Sequence, residues 1–337
     1  MQNRQNHPNR RQVLTTALGV VATPMAFAQT SVDTDETWQD QRRQRAVPVR
    51  IRWPQSAPPD GGWPVIVYSH GLGGSRMDGE VWGRAWADAD FVVLHLQHAG
   101  SDFDAVMRAL IKNRSRAGLQ EVANAQQLLA RIDDVVFAID EIARRKTVDK
   151  AWRFVRAGGV GVAGHSFGAH TTLGAGGQAY PLRGAVREPR IAALAAFSPS
   201  LPSTGDAVQA FAAILRPTLC LTGTRDDDVI GNGATADKRI AVYAALPAGN
   251  KAMLVLKDAD HATFGGGRGI GRGNELEAGQ GRAGREPATA QLERQHQALV
   301  ARISTDWWRA HLIGDTDAKK RLQNPDGLAA QDTWQTG

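Results

Sequence analysis

Gly164-His165-Ser166-Phe167-Gly168 places a serine directly after the apolar run Val160 to Ala163 and just before Ala169 to Leu173, a stretch able to start a helix. A sharp strand-to-helix turn crowds the serine backbone and leaves no room for flanking side chains, a demand that Gly164 and Gly168 meet. The turn would lift the Ser166 hydroxyl above the strand end and set it at a helix N-terminus, where free amides and the helix dipole favour developing negative charge. The chemistry this suits is nucleophilic attack by an alcohol. A serine hydroxyl is a weak nucleophile at neutral pH, so it needs a base, and the base needs a carboxylate to orient it.

Two later segments supply those types. The run Leu219-Cys220-Leu221 passes through Thr222-Gly223-Thr224-Arg225 into Asp226-Asp227-Asp228, so Asp226 is a candidate acid just past a strand end. Asp227 or Asp228 could take the role instead, or the trio could bind a cation. Met253 to Leu256 leads through Lys257-Asp258-Ala259-Asp260 to His261, the candidate base. Among the other histidines, His165 sits at the variable position of the turn and should point away from the serine. His95 and His98 follow Phe91 to Leu94 and read as pocket wall, while His170, His296 and His311 fall on helical patterns and read as structural. Tyr68-Ser69-His70-Gly71-Leu72-Gly73-Gly74-Ser75 leaves an early buried strand with three glycines, so its backbone can approach a substrate carbonyl closely. The amides of Leu72 and Phe167 are then the candidate oxyanion donors, with His70 and Gly71 supporting the loop and His70 packed beneath it.

These side chains are far apart in sequence, so a rigid frame must bring them together. Val65 to Tyr68, Phe91 to Leu94, Val160 to Ala163, Ile191 to Phe197, Leu219 to Leu221 and Met253 to Leu256 are short apolar runs bounded by Gly, Pro or Asp, as strands buried on both faces are. Val47 to Trp53 reads as an additional early strand. Between them lie helical patterns; Leu128, Leu129, Ile132, Val135, Val136, Ile139 and Ile142 make one apolar stripe. Alternation of strand and helix predicts an α/β fold, a mostly parallel central sheet with helices on both faces. Ser101 to Ala125 has no clean period and reads as a cover over the sheet edge. Gly265 to Arg285 reads as a surface loop whose glycine pattern lacks the strand and helix of a dinucleotide fingerprint. A final helix is expected over Ala288 to Leu312, carrying Trp307-Trp308 onto the sheet.

The chain has 337 residues, 42% hydrophobic and 22% charged, enough for a large packed core. A single cysteine, Cys220, excludes disulfide scaffolds and multi-thiolate zinc sites. The formal charge of +6 suggests nucleic acid until its location is checked. Arg4, Arg10 and Arg11 precede an apolar stretch, no acidic residue occurs before Asp33, and Ala26-Phe27-Ala28 makes a small-residue cleavage site. Residues 1–28 therefore read as an export signal to the periplasm or beyond in a bacterium; Arg10-Arg11 resembles a twin-arginine pair, with general secretion the alternative. Its removal would take away three of the 40 basic residues against 34 acidic ones, leaving too little excess charge for a nucleic-acid partner. The run Val13 to Ala28 is too short and too broken by Pro24 for an integral membrane span. The expected organisation is this signal, a linker over 29–46, a catalytic domain over 47–312 and an accessory tail over 313–337.

Ser69-His70-Gly71, Gly164-His165-Ser166-Phe167-Gly168, Gly223-Thr224-Arg225-Asp226 and Asp258-Ala259-Asp260-His261 together resemble the α/β-hydrolase superfamily. The resemblance is to its serine esterases of the dienelactone-hydrolase-like, platelet-activating-factor acetylhydrolase and cutinase-like polyesterase group. The chain order serine, acid, histidine is the one that fold uses. The resemblance implies hydrolysis of small or polymeric carboxylic esters, with no cofactor and no metal. On it, Ser166, Asp226 and His261 match the triad, and Leu72 and Phe167 the oxyanion donors. Dienelactone hydrolases use a cysteine nucleophile, whereas this turn holds a serine, so lactone cleavage is not implied. The connection Ser198 to Pro217 is short for a cap domain, so an open cleft is expected, with Ser101 to Ala125 as partial cover. A peptidase, thioesterase or acyltransferase could use the same triad, and a silent binding protein could keep the fold.

Overall fold

The computed structural model describes residues 31–113, 117–181, 183–267 and 287–337. The expected export signal and nearly all of the Gly265 to Arg285 loop lie outside the described residues. In chain order the elements are β1 (Ser31–Asp40), β2 (Arg45–Pro54), β3 (Val65–Ser69), α1 (Glu80–Ala87), β4 (Val92–Leu96), α2 (Phe103–Asn113), α3 (Ala117–Val122), α4 (Ala125–Val148) and β5 (Val160–His165). They continue with α5 (Phe167–Ala175), the short pair β6 (Ala179–Tyr180) and β7 (Gly184–Ala185), β8 (Ile191–Phe197), α6 (Ala207–Phe211), β9 (Thr218–Arg225), α7 (Ala236–Ala245) and β10 (Lys251–Asp260). The last are α8 (Pro287–Trp308), α9 (Thr316–Gln323) and β11 (Thr333–Thr336).

Every apolar run read as a strand lies in one sheet of order β1-β2-β4-β3-β5-β8-β9-β10-β11. β4, β3, β5, β8, β9 and β10 pair in parallel, and antiparallel partners close each side. Alternate residues of each strand feed opposite cores. Val65 and Val67 of β3 pack with the Ile132, Val135 and Ile139 stripe of α4 and with Leu173 of α5. Ile66 and Tyr68 face the other way, toward Trp82 and Trp86 of α1 and Ile303, Trp307 and Trp308 of α8. The chain is thus an α/β protein, with a mostly parallel sheet sandwiched between helices. In such sheets the loops at the carboxyl ends of the strands gather on one edge, and all the candidate residues lie on those loops or at the adjoining strand and helix ends.

The fold extends past the expected boundaries on both sides. Ser31–Asp40, within the expected linker, pairs with β2 along its whole length. Its polar sequence hid an edge strand held by backbone pairing, by Asp33 on Arg52 at 2.6 Å and Asp35 on Arg50 at 2.7 Å, and by Trp38 edge-on to Trp152. The expected tail forms α9 and then β11, which pairs with β10 at the far edge. Leu322 and Ala318 of α9 are buried against the α8 side of the sheet. Ser101 to Ala125 holds two short helices around their own small core of Ala105, Val106, Ala109, Leu119 and Val122, which is why it showed no single period.

Candidate active site

β5 ends in the core and the chain turns at once into α5, with Ser166 at the junction. Its φ of 56° lies in the left-handed region, a strained conformation for serine. A Cβ on Gly168 would lie 2.0 Å from the Ser69 carbonyl oxygen, and one on Gly164 would lie 2.3 Å from the Gly168 carbonyl oxygen. Only glycine fits either place, since backbone cannot move aside. The Ser166 N–H donates to the Phe197 carbonyl at 2.9 Å, which ties the turn to β8.

Ser166, His261, Leu72 and Phe167 line one cavity of about 1370 Å³. His261, past the end of β10, is 97% buried, and its Nδ1 lies 2.7 Å from Asp226 Oδ1. Asp226 is fully buried; its other oxygen accepts from Thr222 Oγ1 at 2.8 Å, and Arg239 Nε lies 3.0 Å from Oδ1. Burial alone would raise the Asp226 pKa, but His261 and Arg239 outweigh it and hold the carboxyl at about 2. The carboxylate is therefore ionised at neutral pH. It can keep a proton on Nδ1 and leave Nε2 free to accept one.

The three consecutive aspartates go separate ways. Asp227 Oδ1 accepts from the Ala236 N–H at the start of α7, and Asp228 accepts from the amides of Ile230, Gly231 and Gly233. These are capping roles, and only Asp226 meets a histidine. Among the described residues no cluster of three or more His, Cys, Asp or Glu side chains could hold a metal ion. Cys220 is buried in β9 with its thiol pushed up to about 12 by burial, which leaves it inert as a nucleophile.

The loop after β3 approaches the serine turn closely, since a Cβ on Gly71 would lie 3.6 Å from the Ser166 Cβ. Among the described residues neither the Leu72 nor the Phe167 amide donates to a protein acceptor. Unused donors on a cavity wall suit a developing oxyanion. His70 is buried, its Nδ1 donating to the Gly71 carbonyl at 2.6 Å and its Nε2 accepting from the His98 N–H at 3.0 Å.

Several histidines have contacts that the chain order did not show. His98 is not in the cavity wall; it is fully buried under the loop, with Nε2 2.6 Å from Ser69 Oγ and Nδ1 2.9 Å from Asp134 Oδ2. Ser69, His98 and Asp134 thus repeat the serine, histidine and acid set in a place no substrate reaches. Their role is to anchor the end of β3, and Arg43 and Arg45 hold Asp134 from the other side. His95 is buried as well, donating to the Asp78 carbonyl at 2.9 Å. His165 lines the same cavity as Ser166, its ring 4.6 Å from the His261 ring and its Nε2 donating to the His261 carbonyl at 3.1 Å. His170 does face the cavity, rather than serving packing alone. Two contributors had no sequence signal: Arg239, which grips Asp226, and Arg131, which reaches His70 from α4. Arginines on amphipathic helices look like surface until the helix is docked.

One cavity wall is apolar, built from Leu72, Leu110, Leu119, Leu128, Leu129 and Ile230. Leu110 and Leu119 come from the α2 and α3 pair, so that segment covers part of the cleft. No described helix is long and apolar enough to cross a membrane.

Residues 44–144 match the family model described as platelet-activating factor acetylhydrolase, isoform II. The match runs from the start of β2 through most of α4 and includes the glycine loop, while Ser166, Asp226 and His261 lie beyond it. Comparison with curated proteins finds no match. The mostly parallel sheet is consistent with the α/β-hydrolase fold, to which the matched esterase family belongs, and the match supports a hydrolase acting on esters.

Proposed function

We propose that this α/β-hydrolase is a serine carboxylic-ester hydrolase working through Ser166, His261 and Asp226 and an acyl-enzyme. The observation that carries this reading is His261, tied to a buried ionised Asp226 and facing the same cavity as Ser166 at its strained turn. In the reaction, His261 Nε2 takes the hydroxyl proton as Ser166 Oγ attacks the ester carbonyl carbon. The carbonyl oxygen becomes an oxyanion held by the Leu72 and Phe167 amides. Collapse breaks the bond to the alcohol oxygen, which leaves with the proton from His261. Water then attacks the acyl-enzyme by the same route, releasing the acid and restoring Ser166. The apolar wall of the cavity suits the hydrocarbon part of an ester.

The test is labelling with a fluorophosphonate followed by peptide mapping, together with turnover of esters, amides and thioesters. Ser166 should carry the label, and Ser166→Ala should lose both labelling and ester turnover while melting like the parent. Ester hydrolysis at the parental rate by Ser166→Ala would remove the serine from the mechanism. We also propose that the protein is exported, a reading supported by Arg10-Arg11, the apolar stretch after it and Ala26-Phe27-Ala28. Cell fractionation with N-terminal sequencing of the mature chain tests it.

A further inference from the structure

Two amides on different elements can hold one oxyanion only if their separation is fixed. Leu72 sits on a glycine-rich loop after β3 and Phe167 on the first residue of α5. A loop with Gly71, Gly73 and Gly74 has little stiffness of its own. One side chain touches both segments.

Arg131, on α4, is fully buried. Its Nη2 donates to the His70 carbonyl, its Nε to Thr171 Oγ1 at 2.9 Å and its Nη1 to Ser101 Oγ at 2.9 Å. The guanidinium carbon also lies 4.7 Å from the centroid of the Phe167 ring. Each contact leads on to a donor segment. Thr171 Oγ1 donates in turn to the Phe167 carbonyl at 3.0 Å, and the Ser101 carbonyl accepts from the Gly73 N–H at 2.9 Å. The fork therefore reaches the loop at His70 directly and at Gly73 through Ser101, on either side of Leu72, and reaches Phe167 through its ring and through Thr171.

The chemistry is unusual for a packing residue. Among the described residues the hydrogen bonds of Arg131 go to neutral oxygens, not to a carboxylate. Burial lowers its pKa to about 9, with Asp134 opposing the shift, so it stays cationic at neutral pH. A dry guanidinium without an ion-pair contact is costly, and an apolar side chain would fill the space at less cost. What an apolar side chain lacks is a rigid planar fork whose donors point in fixed directions, and a lysine lacks it too.

We propose that Arg131 is a positioning residue that holds the Leu72 and Phe167 amides at the separation a tetrahedral oxyanion requires. The inference rests on the triad reading above. It acts through other groups and touches no substrate.

The test uses the full-length protein, Arg131→Lys and Thr171→Val, the second removing the link to α5 while keeping the shape of the side chain. Ester kinetics, thermal melting and affinity for an alkyl boronic acid, which adds to the serine as an anionic tetrahedral adduct, are measured on each. Arg131→Lys should lower kcat by about 30-fold or more and Thr171→Val by about fivefold, each with KM within about threefold. Boronate affinity should fall in proportion to kcat/KM. Folded variants that keep kcat within about twofold would overturn the proposal, and so would a fall in kcat with unchanged boronate affinity. If Arg131→Lys does not fold, Thr171→Val decides by the same criteria. Failure of the parent itself to be labelled at Ser166 by a fluorophosphonate would sink the triad reading instead. Labelling with insensitive variants would sink this inference alone.

Discussion

Residue type tells less about chemistry than what surrounds the residue. Asp226, Asp227 and Asp228 are chemically identical and adjacent, yet one is fully buried against a histidine and an arginine while the others cap backbone amides. Asp226→Asn should therefore lower kcat by about ten-thousandfold through loss of the histidine's orientation, and Asp227→Asn should change it by less than about threefold. Steady-state kinetics on both variants, with circular dichroism to check folding, decides the assignment. The two serine, histidine and acid sets make the same point. Ser166 opens onto a cavity, while Ser69, with His98 and Asp134, is sealed beneath it. The glycines at 164 and 168 were legible as turn residues, because the need for bare backbone is local. The partner of each carboxylate was not, because no local rule pairs Asp134 with a histidine 36 positions away.

Among the elements, those built on a strong period were readable and those built on pairing were not. The α4 stripe and the six apolar strands stand out because burial on one or both faces leaves a pattern in the chain. β1 and β11 are edge strands whose hydrogen bonds come from a neighbour, and neither has a pattern distinct from a polar loop. α9 shows what such an overlooked element contributes. Its Leu322 is buried against the sheet's helical layer, while the cavity is lined by other elements. Leu322→Ala should cost about 2 to 4 kcal/mol in urea denaturation with kcat within about twofold of the parent.

At the scale of the whole molecule, buried imidazoles and carboxyls give stability a pH dependence. Burial, followed by the charge of Arg52, lowers His95 to about 3, and burial with Arg131 lowers His98 to about 4. In the unfolded chain both would bind protons near the ordinary value of 6.5, so between that value and the folded ones the unfolded state holds more protons. From these two groups stability is complete above pH 6.5 and is lost as pH falls toward 4. Asp78, raised by burial to about 7, has the opposite sign and offsets part of that loss between 7 and 3.8. Below 3.8 the carboxyls of Asp134 and Asp226, both held at about 2, add a loss of the same sign. Each group contributes about 1.4 kcal/mol per unit of separation. The two histidines together outweigh Asp78, so melting temperatures should drop as pH falls from 6.5 to 4, and a melting temperature unchanged over that range would contradict this account.

The sequence by itself determined the layered α/β architecture, the serine turn and the placing of Ser166, Asp226 and His261 at successive strand ends, because strand burial, backbone crowding and the order of strand ends are all written locally. Only the tertiary structure decided which carboxylate meets His261, which histidines face the cavity, and that Arg131 and Arg239 point inward. Those outcomes depend on how helices and loops dock on the sheet, a balance of desolvation against distant partners that no short stretch of chain contains.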